Sequence, residues 1–353
     1  MTDDQHSADP GPDERLDEDE PGRLPPNMPQ EMASPLKPFG GAPPPAPDWF
    51  KAAIAQAPER SSVEVLGATI EVLAWGRVGD PGIVLVHGNS AHADWWSPLA
   101  PFLAEDHRVV ALSLSGMGGS DWREAYDFPT YAAEIYAAAQ AGGLYESAVK
   151  PLYIGHSFGG SQVYYSAVTY PERMSGVIII DSALGDAPTP QEIQEIYAQA
   201  AAEGRPAPGP ALRTRPNRVY PTLDEALTRF RLSPPQIPGS LFMADYIARH
   251  SLRPAPMTDS SGMGWTWKFD PFLWRKVDRI ELREQPRDRL PPMANIIADR
   301  SGVMERRTAG EILDFLPATV PTIVIPDSEH HIMVDQPLAL VAALRALLSV
   351  WPS

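Results

Sequence analysis

Ser157 lies at the centre of Gly155-His156-Ser157-Phe158-Gly159, a G-x-S-x-G pentapeptide between the apolar run Pro151-Leu152-Tyr153-Ile154 and a helical pattern over residues 160–170. A serine presented on a tight strand-to-helix turn needs nearly bare neighbours two positions before it and two after, which Gly155 and Gly159 supply. A helix that starts at such a turn points free N–H groups and the positive end of its dipole at the serine. The arrangement predicts a nucleophilic hydroxyl. A serine hydroxyl is barely ionised at neutral pH, so a base must stand within hydrogen-bond reach of it.

Presenting that serine requires a sheet. Residues 82–86, 109–114 and 176–180 are continuous apolar runs, the pattern of strands buried on both faces of a parallel sheet. They end in His87-Gly88-Asn89-Ser90, in the glycine-rich turn of residues 115–121, and at Asp181. Residues 62–75 alternate around Gly67 and read as a leading hairpin. Helical patterns over residues 95–104 and 130–142 separate the strands, which predicts an α/β fold with a doubly wound, mostly parallel sheet. That rhythm breaks between residues 185 and 288, where helical patterns, prolines and the aromatics Trp265, Trp267, Phe269, Phe272 and Trp274 replace buried strands. This stretch is expected to be an inserted helical cap, with residues 48–184 and 289–353 forming the core. Strand patterns resume over residues 295–298 and 321–325, and an amphipathic helix closes the chain.

The net charge of −16 argues against nucleic acid or an anionic membrane as a partner. Ten acids against three bases place −7 of it in residues 1–47, leaving an ordinary −9 for the rest. That segment is also proline-rich, ending in Pro43-Pro44-Pro45-Ala46-Pro47, and it is expected to be a disordered tail. The absence of cysteine excludes disulfides, thiolate metal sites and a cysteine nucleophile. With no basic and apolar leader and no run of membrane-spanning length, a cytoplasmic protein is expected. No helical H-x-x-x-H marks a metal site, and residues 116–119 lack the G-x-G-x-x-G order of a nucleotide site. No metal and no cofactor are expected.

Taken in order, His87-Gly88-Asn89, the turn 116–121, the elbow at Ser157 and His330 after the last strand resemble the α/β-hydrolase superfamily over residues 60–353. The details are similar to the capped branch, which holds esterases, lactonases, haloalkane dehalogenases, epoxide hydrolases and carbon–carbon bond hydrolases. The resemblance implies a Ser-His-acid triad. Residues 325–337 resemble the family's A-G-H-x-x-x-x-[DE]-Q-P, and Asp335-Gln336-Pro337 set the register at His330, with His331 as a competing base. The usual acid position after the next-to-last strand holds Ser301, with Asp299 two residues early. Some capped members take the acid from the strand before it, and Asp181 stands there, 24 residues after Ser157. Asp181 is favoured over Asp299. The oxyanion hole is expected from the N–H groups of Asn89 and Phe158. Asn89 also resembles a halide-binding asparagine of dehalogenases, but those enzymes use an aspartate nucleophile where this chain has Ser157.

The resemblance therefore implies a serine hydrolase acting on an ester or lactone through an acyl-enzyme. His92, Met243, Tyr246, Trp265 and Trp267 are candidates to bind a largely apolar substrate, and the cap aromatics equally suit the cap's own core. Hydrolysis of a carbon–carbon bond and slow-turnover ligand reception are the competing functions.

Overall fold

Alternate side chains of a strand point to opposite faces, and the strand β3 (Gly82–Val86) shows both faces in use. In the computed structural model, Ile83 and Leu85 join a cluster with Trp96, Leu99, Leu340 and Leu344. Val84 and Val86 join another with Tyr131, Ile135, Val163 and Tyr164. The structure describes residues 28–185, 190–203, 213, 215–257, 262–278, 282, 285, 289–304, 315–316 and 319–351. The flanking strands β4 (Arg108–Leu112), β5 (Leu152–His156) and β6 (Gly176–Ile180) are also buried at every residue. Helices on both faces make that possible: α1 (Phe128–Ala141) and α2 (Phe158–Thr169) on one side, α3 (Pro337–Ser349) on the other.

Among the described residues the sheet has eight strands in the order β1-β2-β4-β3-β5-β6-β9-β10, with β1 (Glu59–Val65), β2 (Ala68–Trp75), β9 (Met293–Ala298) and β10 (Thr322–Ile325) completing it. Only the pairings of β1 with β2 and β2 with β4 are antiparallel. The remaining pairings are parallel, so β3, β5, β6, β9 and β10 all deliver their carboxyl ends to one edge. In open α/β sheets ligands bind at that edge.

Between β6 and β9 the chain forms the helices Pro190–Ala202, Leu223–Thr228, Leu241–His250 and Leu273–Lys276. The insertion is not wholly helical. Strands β7 (Leu252–Pro256) and β8 (Met263–Trp267) pair as an antiparallel ribbon that the helical expectation omits. Two prolines in β7 hide its strand character in the sequence, and a two-stranded edge tolerates them.

The expected disordered tail does not extend to residue 47. Leu36 is buried, and Arg249 donates to the Gly41 carbonyl at 2.6 Å. A few apolar side chains among the prolines find a surface to cover, which average composition cannot reveal. Residues 1–27 lie outside the described residues.

Candidate active site

Ser157 sits between β5 and the helix Phe158–Thr169 with φ 54° and ψ −121°, a dihedral pair that a side-chain-bearing residue holds only where its surroundings enforce it. Enforcement is visible at both glycines. A Cβ on Gly155 would lie 2.3 Å from the Gly159 carbonyl oxygen, and one on Gly159 would lie 2.5 Å from the carbonyl oxygens of Val86 and His87. The elbow needs glycine at both places because backbone already fills the space.

The Ser157 hydroxyl, partly exposed, is 2.8 Å from His330 Nε2, and His330 Nδ1 is 2.7 Å from Asp181 Oδ2. Since a carboxylate only accepts, Nδ1 carries the proton and Nε2 is free to take one from the serine. Asp181 is fully buried, so its oxygens need donors. Ala298 N–H supplies Oδ1 at 3.0 Å, and the Ser301 hydroxyl supplies Oδ2 at 2.6 Å. The residue at the superfamily's usual acid position thus donates to the acid that stands one strand away. Asp299 is turned elsewhere, with its Oδ1 accepting Ser328 N–H at 3.0 Å. Geometry places Asp181, and not Asp299, behind the histidine. His331 does not compete either, because its ring Nδ1 is 2.6 Å from Gln236 Oε1.

Phe158 opens its helix, so its N–H has no acceptor within the helix. Gly88 lies against the elbow, where a Cβ would stand 3.2 Å from Ser157 Cβ, and Asn89 follows it in the chain. One residue of the insertion touches both: Trp274 Nε1 donates to Asn89 Oδ1 at 3.1 Å, and its ring meets the Phe158 ring at 5.5 Å. Trp274 belonged to the aromatic run of the sequence, but nothing in its spacing distinguished it from its neighbours.

The five substrate-binding candidates are engaged differently. His92 bonds the Ser251 hydroxyl at 2.8 Å, and Met243 is fully buried in the core cluster that also holds Leu85 and Trp96. The Tyr246 ring packs on Phe50 and His250, and burial pushes its hydroxyl up to about 12. Trp267 packs on Tyr220 and Phe230, and Trp265 exchanges backbone hydrogen bonds with Tyr220. These contacts give the four insertion residues packing roles, and they hold His92 in the loop after β3. Asp94, in the same loop as His92, is buried and paired with Arg60 at 2.6 Å. The turn 116–121 fastens core to insertion, with Gly118 N–H donating to the Lys268 carbonyl and Asp270 N–H to that of Gly116.

His87 and His156, like His92, are buried, and burial disfavours their charged form. His87 donates from Nδ1 to the Gly88 carbonyl at 2.7 Å and accepts Leu114 N–H at Nε2, which ties the end of β3 to the segment after β4. His156 donates to the His330 carbonyl at 2.9 Å. Burial pushes His87 down to about 4, and pushes His92 and His156 down to about 3. In the unfolded chain these imidazoles take protons near pH 6.5, whereas the folded chain refuses them until far lower pH. Their stabilising effect is therefore complete above about pH 6.5 and is lost as pH falls toward the folded values, by up to about 1.4 kcal/mol per pH unit per histidine. The urea midpoint is expected to drop clearly from pH 7 to pH 5, and equal midpoints would contradict this reading.

Sheet order, elbow and the Ser157–His330–Asp181 chain define an α/β-hydrolase fold. The chain belongs to the alpha/beta hydrolase family, whose model matches residues 83–344. It is 23% identical over 296 residues to Esterase Rv0045c of Mycobacterium tuberculosis, covering 80% of this chain and 88% of that protein. It is 30% identical over 112 residues to a pimeloyl-[acyl-carrier protein] methyl ester esterase of Aliivibrio salmonicida, a match spanning 31% of this chain and 40% of that one. Among solved structures, an E-2-(acetamidomethylene)succinate hydrolase is similar with a TM-score of 0.62 at 17% identity, over 83% of this chain and all of that one. Among the described residues, no group of three His, Cys, Asp or Glu could hold a metal ion, and no helix is long and apolar enough to cross a membrane.

Proposed function

We propose that this hydrolase cleaves a carboxylic ester or lactone of a largely apolar small molecule, without a cofactor, through an acyl-enzyme on Ser157. The observation that carries the reading is the unbroken hydrogen-bond chain from Ser157 Oγ through His330 to the buried Asp181. His330 Nε2 takes the serine proton as Oγ attacks the acyl carbon, and Asp181 stabilises the imidazolium that forms. The N–H groups of Phe158 and Asn89 receive the oxyanion. His330 then gives the proton to the leaving alcohol, and water attacks the acyl-enzyme by the same path in reverse. Residues 185–288 act as the lid over the core of residues 48–184 and 289–353. Trp274 of the lid contacts Asn89 and Phe158, and with Phe158 it sets an apolar wall. The esterase names of two relatives support ester over carbon–carbon cleavage. A cytoplasmic location fits this reading.

A panel of p-nitrophenyl esters and simple lactones tests it. Turnover of at least one short or medium-chain ester is expected, and no turnover across the panel would count against the proposal.

A further inference from the structure

Gln236 belongs to the insertion, is 1% exposed, and has both ends of its amide spent on the loop that carries His330. Its Oε1 accepts two hydrogen bonds, from the His331 backbone N–H at 2.9 Å and from His331 Nδ1 at 2.6 Å. Because a backbone N–H can only donate, that atom is the amide oxygen and the other is the nitrogen. The nitrogen donates to Asp335 Oδ2 at 2.9 Å. Asp335 Oδ2 also accepts Glu329 N–H at 2.8 Å, and Oδ1 accepts Gly239 N–H at 3.0 Å. One carboxylate thereby closes residues 329–335 into a ring and fastens it to two positions of the insertion. On the other side of the loop, His156 Nε2 donates to the His330 carbonyl. The His330 main chain is held from both sides, which leaves its ring nitrogens to Asp181 and Ser157 alone.

We propose that Gln236 is a positioning residue for His330, so that seating the insertion on the core sets the register of the catalytic base. The proposal rests on the triad reading given above. Deleting the amide frees the 329–335 loop on one side, and an error near 1 Å in the base is worth up to about 100-fold in rate. The amide bonds His331 and Asp335 and not Ser157, so its loss is expected to show in kcat. Gln236→Leu is expected to lower kcat by roughly 10- to 100-fold with KM within about threefold.

Gln236→Glu separates positioning from mere filling of space. While protonated, the introduced carboxyl reproduces the amide pattern, its carbonyl accepting from His331 and its hydroxyl donating to Asp335. Once ionised, it stands as a carboxylate against that of Asp335 and raises its own pKa in doing so. The charged and titratable groups around it are Asp335, Glu329 and His331, with His330, His156 and Arg300 beyond them. The experiment measures kcat and KM on a p-nitrophenyl ester from pH 5.5 to 9 for wild type, Gln236→Leu and Gln236→Glu, with Ser157→Ala in parallel. The Gln236→Glu to wild-type kcat ratio is expected to fall several-fold as pH rises. A constant ratio, or a wild-type kcat in Gln236→Leu, overturns the positioning role, and the first of these decides even if Gln236→Leu does not fold. Loss of the triad reading would show separately, as wild-type turnover that Ser157→Ala retains.

Discussion

Replacing Ser157 with alanine is expected to lower kcat on any ester the protein turns over by about 10⁵- to 10⁶-fold while leaving the fold intact. The size follows from what is removed. Without Oγ no acyl-enzyme forms, and the His330–Asp181 pair has nothing to deprotonate. The residual rate comes from binding and from the oxyanion donors acting on water attack. The fold should tolerate the change because alanine keeps the Cβ, and the strained dihedral at position 157 is imposed by the packed backbone at Gly155 and Gly159. Alanine also keeps the backbone bond from residue 157 to the Ile180 carbonyl. The check is kcat beside the urea midpoint. A variant with an unchanged midpoint and more than about a hundredth of wild-type kcat would remove Ser157 from the mechanism.

Asp181→Asn is expected to lower kcat by about 10⁴-fold, and Asp299→Asn to leave it within about threefold of wild type. Asp181 receives three donors in the fold: His330 Nδ1–H, Ser301 O–H and Ala298 N–H. Asparagine offers one oxygen and an NH₂ in their place. Ala298 can keep the oxygen, and the Ser301 hydroxyl can turn to accept from the new amide. His330 then faces a donor and must expose a bare Nδ1, which moves its proton to Nε2. That tautomer cannot accept from Ser157. Asp299 has no such leverage, since an asparagine oxygen there still accepts Ser328 N–H. Reversed results in the two variants would put the acid after β9 instead of β6.

Much of this was legible in the sequence because burial on both faces leaves a simple trace. The runs that became β3, β4, β5 and β6 are continuous because water reaches neither side of them. Asn89, Ser157 and Asp181 stand at or just past the ends of three of them, so finding the strands found most of the site. Ser301 was legible as a departure from a pattern, and its bond to Asp181 gives the departure a physical sense.

The insertion was much less legible. Trp265, Trp267, Tyr246 and Met243 announce apolar burial, but composition does not say against which surface: Trp267 packs on Tyr220 and Phe230 of the insertion, while Tyr246 packs on Phe50 and Met243 joins the core cluster. Trp274 and Gln236, which touch Asn89 and the His330 loop, differ from their neighbours only through contacts 185 and 95 residues away in the chain. No local spacing encodes such contacts. Residues 28–47 give little local signal of their packing for a related reason, because their few apolar side chains stand among acids and prolines.

The central claim, that Ser157 is an activated nucleophile, is tested most directly by labelling. The intact protein is treated with an alkyl fluorophosphonate, ester turnover is followed, and the modified peptide is identified by mass spectrometry. The expected result is one phosphonyl group per chain, on Ser157, accumulating in step with the loss of turnover, and none on the Ser157→Ala variant. Full inactivation with the label on another residue, or turnover that persists when Ser157 is fully modified, would contradict it.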